Sequence, residues 1–168
     1  WCDSLRGELV SLYGGTNLAE QNNGILSFNP DGFTVGDWNN TNDTDDDFVA
    51  WCWKAGNDSK INNDGATEST VSVNRDAGFS IVSWTGPNGT ATTVGHGLSQ
   101  APEWMILKNR NIDSNYAVYH KSLADDQYLR LDTTDVALTS STRFNSTDPT
   151  ATVFSVGSDS SVSGDGDG

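Results

Sequence analysis

Two acidic runs hold the residues best suited to a hard cation. Asp43, Asp45, Asp46 and Asp47 crowd one stretch, and Asp159, Asp165 and Asp167 another. Closely spaced carboxylate oxygens are what calcium takes as ligands, so calcium is the one cofactor the sequence leaves open. Neither run follows the EF-hand order, which places a Glu at the twelfth loop position. The competing reading is a solvated acidic turn, the usual state of a like-charge cluster. The two imidazoles, His96 and His120, have no short fixed spacing. His96 stands between two glycines and His120 just before Lys121. A closed zinc site takes four ligands, so both histidines read as structural. No Gly-x-Ser-x-Gly elbow and no cysteine in a triad order supplies a nucleophile. Among 23 acidic residues no pair stands out as a glycosidase dyad. The chain therefore reads as a binding protein and not an enzyme, with polysaccharide depolymerisation as the minor alternative.

Aromatic rings offer a different chemistry, because a Trp or Tyr face can stack on a pyranose. Trp38, in a Gly/Asp/Asn loop, and Tyr13, beside Gly14-Gly15, are the candidate glycan contacts. Trp51 and Trp53 share one strand face, since side chains alternate with a period of two. Trp84 and Trp104 fall in other strands, and burial statistics predict all four in the core. Cys2 and Cys52 each neighbour a Trp and read as two small buried hydrophobes rather than a disulfide. Asn-x-Ser/Thr sequons begin at Asn39, Asn42, Asn57, Asn88 and Asn145, as chance alone produces in so Asn- and Thr-rich a chain.

The elements that must position these groups are strands. Apolar residues make up only 35% of the 168, and six Trp, six Phe and four Tyr supply much of what can be buried. Short β-type runs fall at 9–12, 25–28, 33–35, 48–53, 70–73, 79–84, 90–94, 104–109, 116–120, 128–131 and 152–156. Pro30-Asp31-Gly32, Asn22-Asn23-Gly24 and Pro87-Asn88-Gly89 punctuate them as turns. Asn88-Gly89 predicts a hairpin joining 79–84 to 90–94. Residues 133–138 are the one stretch predicted to make a helical turn. Strands at this pitch predict an all-β fold, an antiparallel β-sandwich of jelly-roll or lectin-like type.

A formal charge of −14 opposes phosphate neutralisation, so no nucleic acid is expected as a partner. It opposes anionic lipid equally, and no apolar run nears the roughly 20 residues of a span, so no membrane insertion is expected.

The front of the chain resembles its end. Leu9-Val10-Ser11-Leu12 matches Tyr128-Leu129-Arg130-Leu131, Ser27-Phe28-Asn29 matches Arg143-Phe144-Asn145, and Gly32-Phe33-Thr34-Val35-Gly36 matches Val153-Phe154-Ser155-Val156-Gly157. On this reading residues 1–55 are the rear part of one β-unit and 56–70 a linker. Residues 71–168 are a second unit without the strand that 48–53 provides in the first. One and a half repeated units result, and Phe28, Phe33, Phe144 and Phe154 are predicted to be buried at matched positions.

One series in the second unit carries a family resemblance. It runs Gly78-Phe79-Ser80-Ile81-Val82-Ser83-Trp84-Thr85-Gly86, Thr93-Val94-Gly95-His96-Gly97-Leu98, Ala101-Pro102-Glu103-Trp104-Met105-Ile106-Leu107-Lys108-Asn109-Arg110 and Tyr119-His120-Lys121-Ser122-Leu123. It resembles a repeated β-rich domain of unknown function found in tail-fibre-like and other virion proteins of marine bacteriophages. The resemblance implies a β-sandwich, a virion-surface or extracellular location, and a structural or adhesion role. Implied partners are other virion chains, a second copy in a homo-oligomer, and a host-surface glycan. The alternative is a carbohydrate-active protein, a lectin or a depolymerase. The resemblance implies no catalytic residue.

Overall fold

The computed structural model describes residues 1–164. Strand accounts for 29% of the chain and helix for 7%, arranged as several small antiparallel sheets, so the all-β expectation holds. β1 (Ser27–Asn29) and β2 (Gly32–Thr34) form a hairpin, followed by the helical turn α1 (Asn39–Asn42). β3 (Lys60–Asn62), β4 (Ser69–Asn74) and β5 (Phe79–Trp84) make a three-stranded sheet in that order. β6 (Thr92–Gly95) pairs with β11 (Val153–Val156), β7 (Trp104–Leu107) with β8 (Ala117–His120), and β9 (Gln127–Tyr128) with β10 (Leu138–Thr139). Two more helical turns, α2 (Ser141–Phe144) and α3 (Ser160–Ser163), flank β11. The stretch expected to be a linker thus contributes β3 to a sheet.

Alternation makes the core. On β11, Phe154 faces Val94 of β6 and Val156 faces Thr92, and both Val94 and Val156 are wholly enclosed. Leu107, Ala117, Tyr119, Tyr128, Phe144 and Val162 join them from β7, β8, β9, α2 and α3. Val82 and Trp84 reach the same cluster from β5, so one face of that strand looks inward. Rings lock at angles that suit their quadrupoles: Trp84 meets Phe154 edge-on at 5.5 Å, and Tyr119 meets Phe144 at 5.7 Å. Gly86, just past β5, has no room for a β-carbon against the Ser163 carbonyl, which lets the chain leave β5 directly beneath α3.

Several expectations are overturned. Asn88 and Gly89 do adopt positive φ (56° and 71°), yet no hairpin forms there. The strands on either side join different sheets, β5 with β4 and β6 with β11, because burying Val94 against Phe154 outweighs local turn chemistry. Residues 133–137 are irregular and Leu138 opens β10, so no helical turn forms there. The three helical turns among the described residues lie elsewhere, and two begin where a side chain caps the first turn: Ser140 accepts from Thr142 N–H and Asp159 from Ser161 N–H.

The four phenylalanines divide. Phe144 and Phe154 are buried, but Phe28 and Phe33 are each 40% exposed. They pair with each other across the β1–β2 hairpin, whose residues are mostly exposed. Phe28 stands in a strand and Phe144 in a helical turn, so the segments that look alike in sequence take different local structures.

Candidate functional site

A cleft of about 2520 Å³ opens between β5 and β7. Ligand pockets for drug-sized molecules measure roughly 300–1,000 Å³, so this space is larger than one such molecule fills. One wall is β5 with its flanking turns, the other is residues 101–112 including β7, and residues 1–6 line it as well. β5 pairs only with β4 and β7 only with β8. Each therefore has one backbone edge that no strand pairs, among the described residues, and both strands line the cleft.

Tryptophans ring this opening. Trp51 is 76% exposed, Trp53 56%, Trp104 55% and Trp1 49%. Trp53 stacks on Phe79 at 6.4 Å and on Trp1 at 6.2 Å, building a ladder of rings at the mouth. The expectation that Trp51, Trp53 and Trp104 are core residues is overturned. Among the described residues, 48–53 form no ladder with any strand, so their side chains stay exposed, with Trp53 alone stacked against other rings. The same cause leaves Cys52 exposed; Cys2 is half-buried, and both are free thiols, where two buried hydrophobes were expected. Trp84 is half-buried and does reach the core.

Charge pins the wall formed by the front of the chain. Arg6, its side chain buried, meets Asp3 Oδ2 at 2.5 Å and Glu20 Oε2 at 2.8 Å. Glu20 also takes Arg110 at 2.7 Å, tying residues 1–20 to the loop after β7. Burial pushes the Glu20 carboxyl up, but hydrogen bonds and charge from Arg110 and Arg6 outweigh it and hold the group below the ordinary carboxylate range. Tyr116 donates to the Tyr13 carbonyl at 3.0 Å, and burial pushes its phenol up to about 12. Sequence reasoning missed this network, because bonded partners in it lie up to 103 positions apart.

The candidate glycan contacts lie away from the cleft walls. Trp38 is exposed, as expected, with its ring against Gly36. Tyr13 is half-buried, and its hydroxyl accepts from the side-chain amides of Asn23 and Asn40.

Asp45, Asp46 and Asp47 are exposed and Asp43 is half-buried, its carboxylate accepting from Thr44 N–H at 2.8 Å. Asp159 caps α3 and meets Arg143 at 3.0 Å. Asp165 and Asp167 lie outside the described residues. Among the described residues, no three His, Cys, Asp or Glu side chains come together in a way that could hold a metal ion.

His96 is a structural joint. Its Nδ1 accepts from Leu98 N–H at 3.1 Å, which leaves Nε2 as the protonated nitrogen facing the Thr150 carbonyl at 3.2 Å. Its own carbonyl accepts from the Ser80 hydroxyl at 2.6 Å. Burial holds the imidazole below its ordinary 6.5, against the raising influence of the Thr150 carbonyl and Asp64. The stability this confers is full above about pH 6.5 and is lost as pH falls through the lower, folded value, since the unfolded chain then binds the extra proton. Urea midpoints should therefore drop below about pH 6.5, and His96→Gln should flatten that drop. A wild-type midpoint that stays level across this range contradicts the assignment.

Searches of curated proteins and of solved structures each find no match. A family model does match, over residues 1–167. That match covers both the cleft walls and the ring of tryptophans, and by it the chain belongs to the family described as a domain of unknown function, DUF7483.

Proposed function

We propose that this chain is a structural and adhesion domain of a virion surface, of the tail-fibre-like or surface-fibre kind. It acts by assembling with neighbouring chains and touching a host surface. The observation that carries this reading is the cleft: two unpaired sheet edges and four exposed tryptophans on a chain of net charge −14. Clustered exposed apolar surface marks an interaction site, and unpaired edges are templates for another polypeptide. The segments that carry the phage resemblance are also those that build β5, β6, β7 and β8. β6 and β11 sharing one core with β7 and β8 support the finer expectation of a β-sandwich. Partners on this reading are other virion chains, a second copy in a homo-oligomer, and a host-surface glycan, at the virion surface or extracellularly.

A lectin is the second reading, favoured by the exposure of Trp51, Trp53 and Trp104, whose faces can stack on sugar rings. A depolymerase is its enzymatic variant. Sedimentation across a concentration series, run with a glycan array in calcium and in chelator, tests both. Concentration-dependent association, weakened by Trp104→Ser, is expected. Glycan binding lost on Trp104→Ser or Trp38→Ala favours the lectin, and calcium dependence adds the acidic runs. Release of reducing sugar from host polysaccharide establishes the enzyme. A monomer at all concentrations that binds no glycan and no host surface sinks the adhesion reading.

A further inference from the structure

Residues 48–53 are six residues long, Phe-Val-Ala-Trp-Cys-Trp, and β5 is six residues long. The segment has no regular secondary structure and is exposed, and no hydrogen bond ties it to the rest of the described chain. It is rich in the β-branched and aromatic residues that favour strands. Its last ring, Trp53, already lies against the first residue of β5, with Phe79 at 6.4 Å and the two planes only 22° apart. Ring pairs of that kind are what directly opposed residues on neighbouring strands make. Just beyond it the chain is anchored to β4, where Asn74 donates to the Lys54 carbonyl at 3.1 Å and Ser72 to that of Gly56 at 3.3 Å.

From this placement we propose that residues 48–53 of the same chain are a strap that enters the cleft as a strand between β5 and β7 and joins their two edges into one sheet. Running antiparallel to β5 from the Trp53–Phe79 contact, the strap sets Cys52 opposite Ser80, Ala50 opposite Val82 and Phe48 opposite Trp84. Alternation then turns Phe48, Ala50 and Cys52 inward, on the face where Val82 and Trp84 meet the core. Val49, Trp51 and Trp53 turn outward, beside Ile81 and Phe79. The anchor at residues 54–56 fixes which chain supplies the strand: a tethered segment acts at an effective concentration of millimolar order, which a second copy does not reach in dilute solution. Closure takes the two bare edges away as templates for another chain and leaves an outward row of tryptophans as the contact surface, so the inference narrows the adhesion reading to those rings and rests on it for their use.

Cys52 supplies the test. Opposed residues on antiparallel strands have Cα atoms about 4.5–5.5 Å apart, inside the roughly 4.4–6.8 Å a disulfide accepts. In a Cys2→Ser background, Ser80→Cys under mild oxidation should convert most of the protein to a monomer in which Cys52 is disulfide-bonded to the introduced thiol, mapped by peptide mass spectrometry. Ser83→Cys, placed opposite Val49, should crosslink to a small fraction of that extent. A disulfide found in dimers assigns the strand to a second copy and overturns the intrachain strap. No disulfide, or equal crosslinking at both positions, overturns the strap and its register. Hydrogen exchange on the unmodified chain gives an independent reading: slow exchange within 48–53 and 104–107 supports closure, and free exchange in both overturns it. Failure of the strap leaves the sedimentation and glycan results untouched, and a crosslinked monomer that binds nothing refutes the adhesion reading alone.

Discussion

Phe154→Ala should lower the unfolding free energy by about 3–5 kcal/mol, the range for truncating a buried aromatic ring. Phe154 is 4% exposed, faces the fully enclosed Val94, and meets Trp84 edge-on. Its ring sits where β5, β6 and β11 converge, so the hole left behind has strand backbone around it and little freedom to collapse. Domains of this size are stable by roughly 5–15 kcal/mol, so the loss takes at least about a fifth of the total. The informative control is Phe33→Ala, at the position that sequence similarity equates with Phe154. Phe33 is 40% exposed on a lone hairpin, and full burial of a Phe side chain is worth about 1.5–3 kcal/mol, so its loss should stay under about 1.5 kcal/mol. Urea denaturation of both variants settles the comparison. Equal losses would mean that the two rings occupy equivalent core sites after all.

That asymmetry marks what the sequence could convey. Strands at 79–84, 104–107 and 117–120 were legible because β-branched and aromatic residues recur there between turn formers, a local signal. Which strand pairs with which was not legible. Asn88-Gly89 has the chemistry of a hairpin turn and the positive φ to match, yet β6 leaves to pair with residues about 60 positions away, a partner that only whole-chain burial selects. The cleft was hidden for the same reason: Trp51 and Trp104 each read as core residues, and their exposure follows from edges left unpaired. The Arg6–Glu20–Arg110 bridge likewise joins charges with no local signature. Trp38 was legible as a surface ring because its turn-rich surroundings offer nothing to bury it. The capping residues Ser140 and Asp159 could have been found, since each is a preferred N-cap type two residues before the N–H it accepts from.

Asp159→Ala should cost about 3 kcal/mol, combining two losses at one carboxylate. Its Oδ1 accepts from the Ser161 N–H at 2.9 Å and the Ser161 hydroxyl at 2.7 Å, and losing such a cap costs about 1 kcal/mol. The same oxygen lies 3.0 Å from Arg143, whose guanidinium stands 5.0 Å over the Tyr128 ring and whose Nε has no hydrogen-bond partner among the described residues. Stripping the counter-charge from a buried ion typically costs about 3–5 kcal/mol. The Asp159 side chain keeps 28% exposure, so water recovers part of that and the sum settles near the lower bound. Arg143→Met in the Asp159→Ala background should restore about 1–2 kcal/mol, because it removes the charge and keeps apolar contact with Tyr128. Additive losses in that double variant would show that the two residues do not act as a pair. The measurement also decides what the acidic end of the chain does with this aspartate. A cap and counter-ion loses the same stability in calcium as in chelator, and that is the expected outcome. A calcium ligand instead lends the folded chain extra stability that rises with calcium concentration and disappears on chelation. A penalty for Asp159→Ala seen only with calcium present would assign the carboxylate to a metal rather than to Arg143.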